Sequence, residues 1–227
     1  MYSMIPSHWP ASEQLFYRVG STVIGLPSPR ALRSSRFPGV RIGADPSIGG
    51  HSVIYSNVSI GNNFACGNGV LIREDTVIGD YVTIRDHCSI GAGVSIANKT
   101  RIETHVHIPR SATIGTGVIV GPNVQFLSDS QSAAKKQDIL LEDGCIISED
   151  VILHQGVCVG EGAQVREGTI VTGHVPPHTC VFGNPMKFRP LDDQKMSAAE
   201  GVTAVYGNKE VLSLQSMRGS HIRASGG

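Results

Sequence analysis

Read in steps of six, the chain places an apolar residue at every step from Ile42 to Phe126. The series is Ile42, Ile48, Ile54, Ile60, Cys66, Ile72, Ile78, Ile84, Ile90, Ile96, Ile102, Ile108, Ile114, Val120 and Phe126. With 40% apolar composition, fifteen such positions in one register arise by chance on the order of once in a million. Glycine follows eight of the fifteen (Gly43, Gly49, Gly61, Gly67, Gly79, Gly91, Gly115, Gly121). Two residues before most of them stands a small or branched side chain, such as Ser52, Val58, Thr76, Cys88, Val94, Thr100 or Ala112; Phe64 and Pro46 are exceptions. Neither a 3.6-residue helix nor an alternating strand repeats every six residues. Short strands joined by tight turns do, and tandem hexapeptides of this kind build parallel β-helices. Three hexads make one triangular coil, so residues 18 apart stack at about the 4.8 Å strand spacing.

The register then slips. Phe126 to Leu141 is 15 residues, after which Leu141, Ile147, Leu153, Val159, Val165 and Val171 resume the beat. The pattern predicts an extruded loop at 127–140 on a prism of about seven coils. Long loops on rigid scaffolds more often carry function than not. The expected organisation is an N-terminal cap over 1–39, a β-helix domain over 40–189, and a C-terminal tail over 190–227. That tail is polar, and it is expected to be partly disordered with one short helix after Pro190.

Composition narrows the possibilities further. Lysine and arginine (19) balance aspartate and glutamate (19), with no block of like charge, which argues against nucleic acid or an anionic membrane as partner. No apolar run approaches a membrane span and the start lacks a signal-peptide pattern, so the expected compartment is the cytoplasm. Glycine is abundant (27 of 227) and aromatics are only 5%, so the core must come from the repeat itself. Cys66, Cys88 and Cys145 fall on inward positions, Cys158 outward and Cys180 in the closing segment, a distribution that predicts reduced thiols and no cysteine nucleophile.

Stacking every 18 residues also shows where chemistry could gather. One corner column reads His51, Gly69, His87, His105, Asn123. A second sets Arg85 beneath Glu103 as an ion pair. Histidine is the side chain suited to accept a proton near neutral pH. His105 is the first candidate for a general base, His107 the second, with His87 beside them and His154 further along.

The segment VGPNVQFLSDSQ, and after the loop LLEDGCIISEDVILHQGVCVGEGAQVREGTIVTGHVPPHTCVFGNPMKFR, resembles the left-handed β-helix acyltransferases over about residues 40–189. The exit Val171-Thr172, Pro176-Pro177 and Gly183-Asn184-Pro185 is the most specific part. The position of the loop after Gly121-Pro122-Asn123-Val124 is most similar to the amino-sugar-nucleotide N-acetyltransferases. The resemblance implies an all-β, left-handed parallel β-helix, where the usual crossover rule alone would give a right-handed one. It implies a homotrimer with active sites between prisms, acetyl-CoA as co-substrate, and a small sugar-nucleotide acceptor acetylated on its amine by direct transfer. Gly160, Ala163, Thr172, Asn184, Lys187 and Arg189 would then line the CoA groove, while Asn123 and Asp129 would hold the acceptor. The family's loop histidine, or its asparagine-aspartate pair, is replaced here by Ser128-Asp129-Ser130-Gln131. A non-catalytic scaffold is therefore the alternative reading. The γ-class carbonic anhydrases share the prism but need two histidines five residues apart. Positions five after His51, His87, His105, His107 and His154 are Ser56, Ala92, Arg110, Ala112 and Val159, so no metal is expected.

Overall fold

The computed structural model describes residues 3–4, 17–19, 21–28, 38–127 and 138–191. The chain divides into one unit over Met1–Pro190 and another over Leu191–Gly227. The first unit is a parallel β-solenoid of about seven turns, all-β among the described residues and consistent with the left-handed hexapeptide-repeat prism. The tail, its expected helix and most of the loop at 127–140 lie outside the described residues.

Three parallel sheets form the prism. Face A runs through Ser47–Ile48, Ala65–Cys66, Thr83–Ile84, Arg101–Ile102, Ile119–Val120, Ile146–Ile147, Gln164–Val165 and Thr179–Phe182. Face B runs from Thr22–Leu26 and Val53–Tyr55 through Leu71–Ile72, Ser89–Ile90, His107–Ile108, Gln125–Phe126 and Ile152–Leu153 to Ile170–Val171. Face C holds Arg41–Ile42, Ser59–Ile60, Val77–Ile78, Ser95–Ile96, Thr113–Ile114, Leu140–Leu141 and Cys158–Val159. From Arg41 on, partners are 18 residues apart, as with Thr83 and Arg101, until the insertion at 127–140, across which Thr113 pairs with Leu140 and Gln125 with Ile152. The fold starts earlier than residue 40: Val23 and Ile24 pair in parallel with Val53 and Ile54, and Tyr17–Val19 folds back on this strand. At the far end Lys187–Pro190 turns antiparallel against Thr179–Phe182.

The isoleucine column is the core. Ile84, Ile90, Ile102 and Ile108 are fully enclosed, and every member of the six-residue series after Ile42 is buried. Full burial of such a side chain is worth about 1.5–3 kcal/mol, so a tall stack of isoleucines replaces the aromatics of an ordinary core. The small positions two residues earlier also point inward, and their hydroxyls bond within the wall. Thr76 Oγ1 donates to the Gly91 carbonyl (3.1 Å) and Thr100 Oγ1 to that of Gly115 (2.7 Å). Phe64 fits one of these positions with no exposure at all.

Side chains also tie the corners together. Asp86 Oδ1 accepts the Asn68 N–H at 2.6 Å, Asn68 Oδ1 accepts that of Gly50 at 2.9 Å, and Asp80 Oδ1 accepts that of Asn62 at 2.6 Å. This ladder is why glycine follows the inward residue: a Cβ on Gly67 would lie 2.7 Å from the Asp86 nitrogen. The Asn68 backbone N–H, foremost, holds the Asp86 carboxyl below the usual range. A carboxyl with a lowered folded pKa stabilises fully above its ordinary value near 4, and the gain is lost as pH falls through the lowered one. Asp86→Asn keeps an acceptor there, so it should lose less stability than the parent between pH 5 and pH 2. Equal losses in acid-unfolding curves would remove Asp86 from that role.

Candidate functional site

The corner between faces A and B carries a column of residues in the left-handed backbone region. His51, His87, His105, Asn123 and Asp150 have φ of 56–58°, and Gly69 and Gly168 occupy the same place in other coils. Non-glycine residues pay for this conformation, and asparagine, aspartate and histidine do so least. The alternation of Gly69 and Gly168 with these polar residues was the sequence signal for it. The His87 and His105 rings stack with centroids 5.3 Å apart and 14° between planes, as the 18-residue spacing predicts. Nearly parallel rings cannot both aim an in-plane lone pair at one ion. Among the described residues no three or more histidine, cysteine, aspartate or glutamate side chains converge as a metal set.

On face A, just before this corner, the expected Arg85–Glu103 pair is present at 3.7 Å. Arg101 adds a closer contact to Glu103, 2.7 Å, that its lateral place in the strand supplies. The Arg85 side chain is half exposed, so its pair with Glu103 contributes at most about 1 kcal/mol.

His107 differs from its neighbours. Two residues past the corner, it faces out from face B and lines a recess of about 220 Å³ with Leu71, Arg73, Glu74, Ser89, Gly91 and Arg110. The recess exists because one rung carries only small residues outward, Ser89, Gly91 and Ala92, between rungs carrying Leu71-Arg73-Glu74 and His107-Arg110. Residues 128–137 depart from Leu127, one rung beyond Pro109 by register. His105 and Asn123 remain in the corner column, and Asp129 lies outside the described residues. The sequence analysis missed Arg73, Glu74 and Arg110, because only the coil register brings these residues around one small-residue rung.

The proposed CoA-groove residues do not converge within one chain. Ala163 is fully buried and belongs to the core; its N–H and carbonyl are both spent on the backbone ladder. Gly160 is packed under Pro177, whose nitrogen would be 2.5 Å from an added Cβ. The Asn184 amide accepts the Ile170 N–H (2.9 Å) and donates to the Gly168 carbonyl (3.1 Å), fastening the exit. Thr172 is exposed beyond face B, whereas Lys187 and Arg189 are exposed on the closing strand of face A. Arg189 borders a second recess of about 320 Å³ with Arg166, Glu167, Cys180, Phe182 and Gly183.

The cysteines lie where their positions in the repeat place them. Burial pushes the Cys66 and Cys88 thiols up to about 11 and Cys145 to about 12. Cys158, half-buried, is raised by desolvation first and then by Glu142. None of these four favours a thiolate.

Residues 67–104 match the model of the bacterial transferase hexapeptide family (six repeats). UDP-N-acetylglucosamine acyltransferase from Campylobacter jejuni has a similar structure, at 17% identity and TM-score 0.54, covering 83% of this chain and 84% of that one. A UDP-N-acetylglucosamine acyltransferase from Francisella novicida is 21% identical (83% and 78% covered, TM-score 0.42). A hexapeptide-repeat acetyltransferase from Vibrio cholerae O1 biovar eltor, solved with acetyl coenzyme A, is 22% identical (66% and 70% covered, TM-score 0.35). No curated protein matches the sequence. The fold is that of a parallel β-solenoid built from hexapeptide repeats.

Proposed function

We propose that the protein is an acyl-CoA-dependent acyltransferase that acetylates the amine of a nucleotide-linked amino sugar by direct transfer from acetyl-CoA. The observation that carries this reading is the face B recess, an exposed imidazole set beside a charged, small-floored hollow. The hexapeptide family match and the solenoid support it. In the reaction the amine attacks the thioester carbonyl, forming the C–N bond, and the C–S bond breaks to release CoA thiolate. His107 takes the amine's proton and the thiolate is protonated in turn. A backbone N–H stabilises the oxyanion between these steps. This reading takes His107 as the base in place of His105; what supports it is that His107 lines the recess while His105 stacks on His87 in the corner column.

In this reading the nucleotide end of CoA lies toward Arg189 and Arg166, where guanidinium groups suit phosphates. Thr172 and Lys187 lie on different faces of the prism, so a shared groove takes one from each of two neighbouring chains. A homotrimer fits that need, and it would cover the half-buried outward residues Val53, Leu71 and Ile119. Light scattering should give three times the 24.1 kDa chain mass. Among the described residues no helix is long and apolar enough to cross a membrane. The five free cysteines suit a reducing compartment, the cytoplasm. The test of the reading is thermal unfolding with acetyl-CoA: a ligand bound only by the folded state raises the midpoint by mass action. No shift with any acyl-CoA would turn the assignment toward a non-catalytic scaffold.

A further inference from the structure

The face B recess has a charge that the transfer chemistry does not use. Arg73 is anchored on three sides: its Nε and Nη2 donate to the two Glu74 oxygens at 2.8 and 3.1 Å, and its guanidinium lies 4.7 Å from the Tyr55 ring centroid. Arg73 foremost, with a contribution from Arg110, holds the Glu74 carboxyl below the usual range, so it is ionised at neutral pH. The wall therefore carries two guanidinium groups against one carboxylate. Arg110 is exposed and in no ion pair within 4 Å among the described residues. Beneath it, Gly91 and Ala92 are buried, and the half-buried Ser89 lines the recess with them. The surplus cation, the hydroxyl donor and a floor without bulk are the chemistry of a carboxylate or phosphate site.

We infer that this recess is an anion-binding subsite, in which Arg110, backed by the anchored Arg73 and the Ser89 hydroxyl, takes a phosphate or carboxylate group of the acceptor and sets its nucleophile beside His107. The inference rests on the acyltransferase reading for the word acceptor, but the subsite itself can be tested without transfer. The acceptor class becomes anionic sugars. Neutral amino sugars and simple amines would lack the group that Arg110 holds.

The test is calorimetric titration of the full chain at low ionic strength, without acetyl-CoA, using inorganic pyrophosphate in one arm and glucuronate in the other. At least one should bind the parent protein, and the arm that binds names phosphate or carboxylate. Arg110→Gln should weaken that binding at least about tenfold, the scale of one charge-assisted hydrogen bond. Ala92→Leu, which fills the floor, should weaken it similarly, with unfolding curves confirming that the variant folds. Arg85→Gln on face A should leave it unchanged. Binding of neither anion, or equal binding by Arg110→Gln, would overturn the proposal, as would a loss in Arg85→Gln as large as in Arg110→Gln. Anion binding with the expected pattern in a protein that ignores every acyl-CoA would keep the subsite and remove the acyltransferase reading.

Discussion

His107→Ala should lower turnover by at least about a hundredfold while acetyl-CoA affinity stays nearly unchanged. General-base catalysis by one positioned side chain is typically worth about 10²–10⁴ in rate. The exposed imidazole of His107 borders the recess where the acceptor is proposed to dock, so its loss removes the proton acceptor and little else. His105→Ala should cost less, since that ring stacks on His87 in the corner column. A His107→Ala variant that keeps most of its activity would return the assignment to His105 or His154. Losses of only a few-fold in every single variant would mean catalysis by positioning, with an amine that arrives unprotonated.

The second large effect concerns the prism. Ile102 is fully enclosed and flanked along its sheet by Ile84 and Val120. Ile102→Ala should cost about 2–5 kcal/mol, because the surrounding coils are held by their own ladders and cannot collapse onto the space. Chemical denaturation should show a lower midpoint at an unchanged slope. A loss below about 1 kcal/mol would mean that the stacked isoleucines are not what holds adjacent coils together.

The prism was legible because its rule is one-dimensional. The series from Ile42 to Phe126 sets each inward side chain, and the 18-residue step alone places His87 on His105 and Arg85 under Glu103. Features set by a single rung against its neighbours were less legible. The strand Thr22–Leu26, an extra rung on face B, carries an Ile24-Gly25 pair in the same register, but the next two steps fall on Arg30 and Arg36 and break the series before Ile42. Arg73 and Arg110 become one site only because Ser89, Gly91 and Ala92 between them are small. The resemblance set Ala163 and Gly160 in the groove, yet the repeat buries Ala163 in the core and Gly160 packs under Pro177. Asn184 stood out as part of a motif, and its amide serves to fasten the exit.

The most direct test of the central claim is the release of free CoA from acetyl-CoA by the purified full chain, measured with amino-sugar nucleotides, amino-sugar phosphates and neutral amines. Thiol release is expected with an anionic amino sugar, matched by the mass of one acetyl group on the product and reduced to about one per cent in His107→Ala. No release with any acceptor, in a protein whose melting temperature acetyl-CoA does not move, would contradict it.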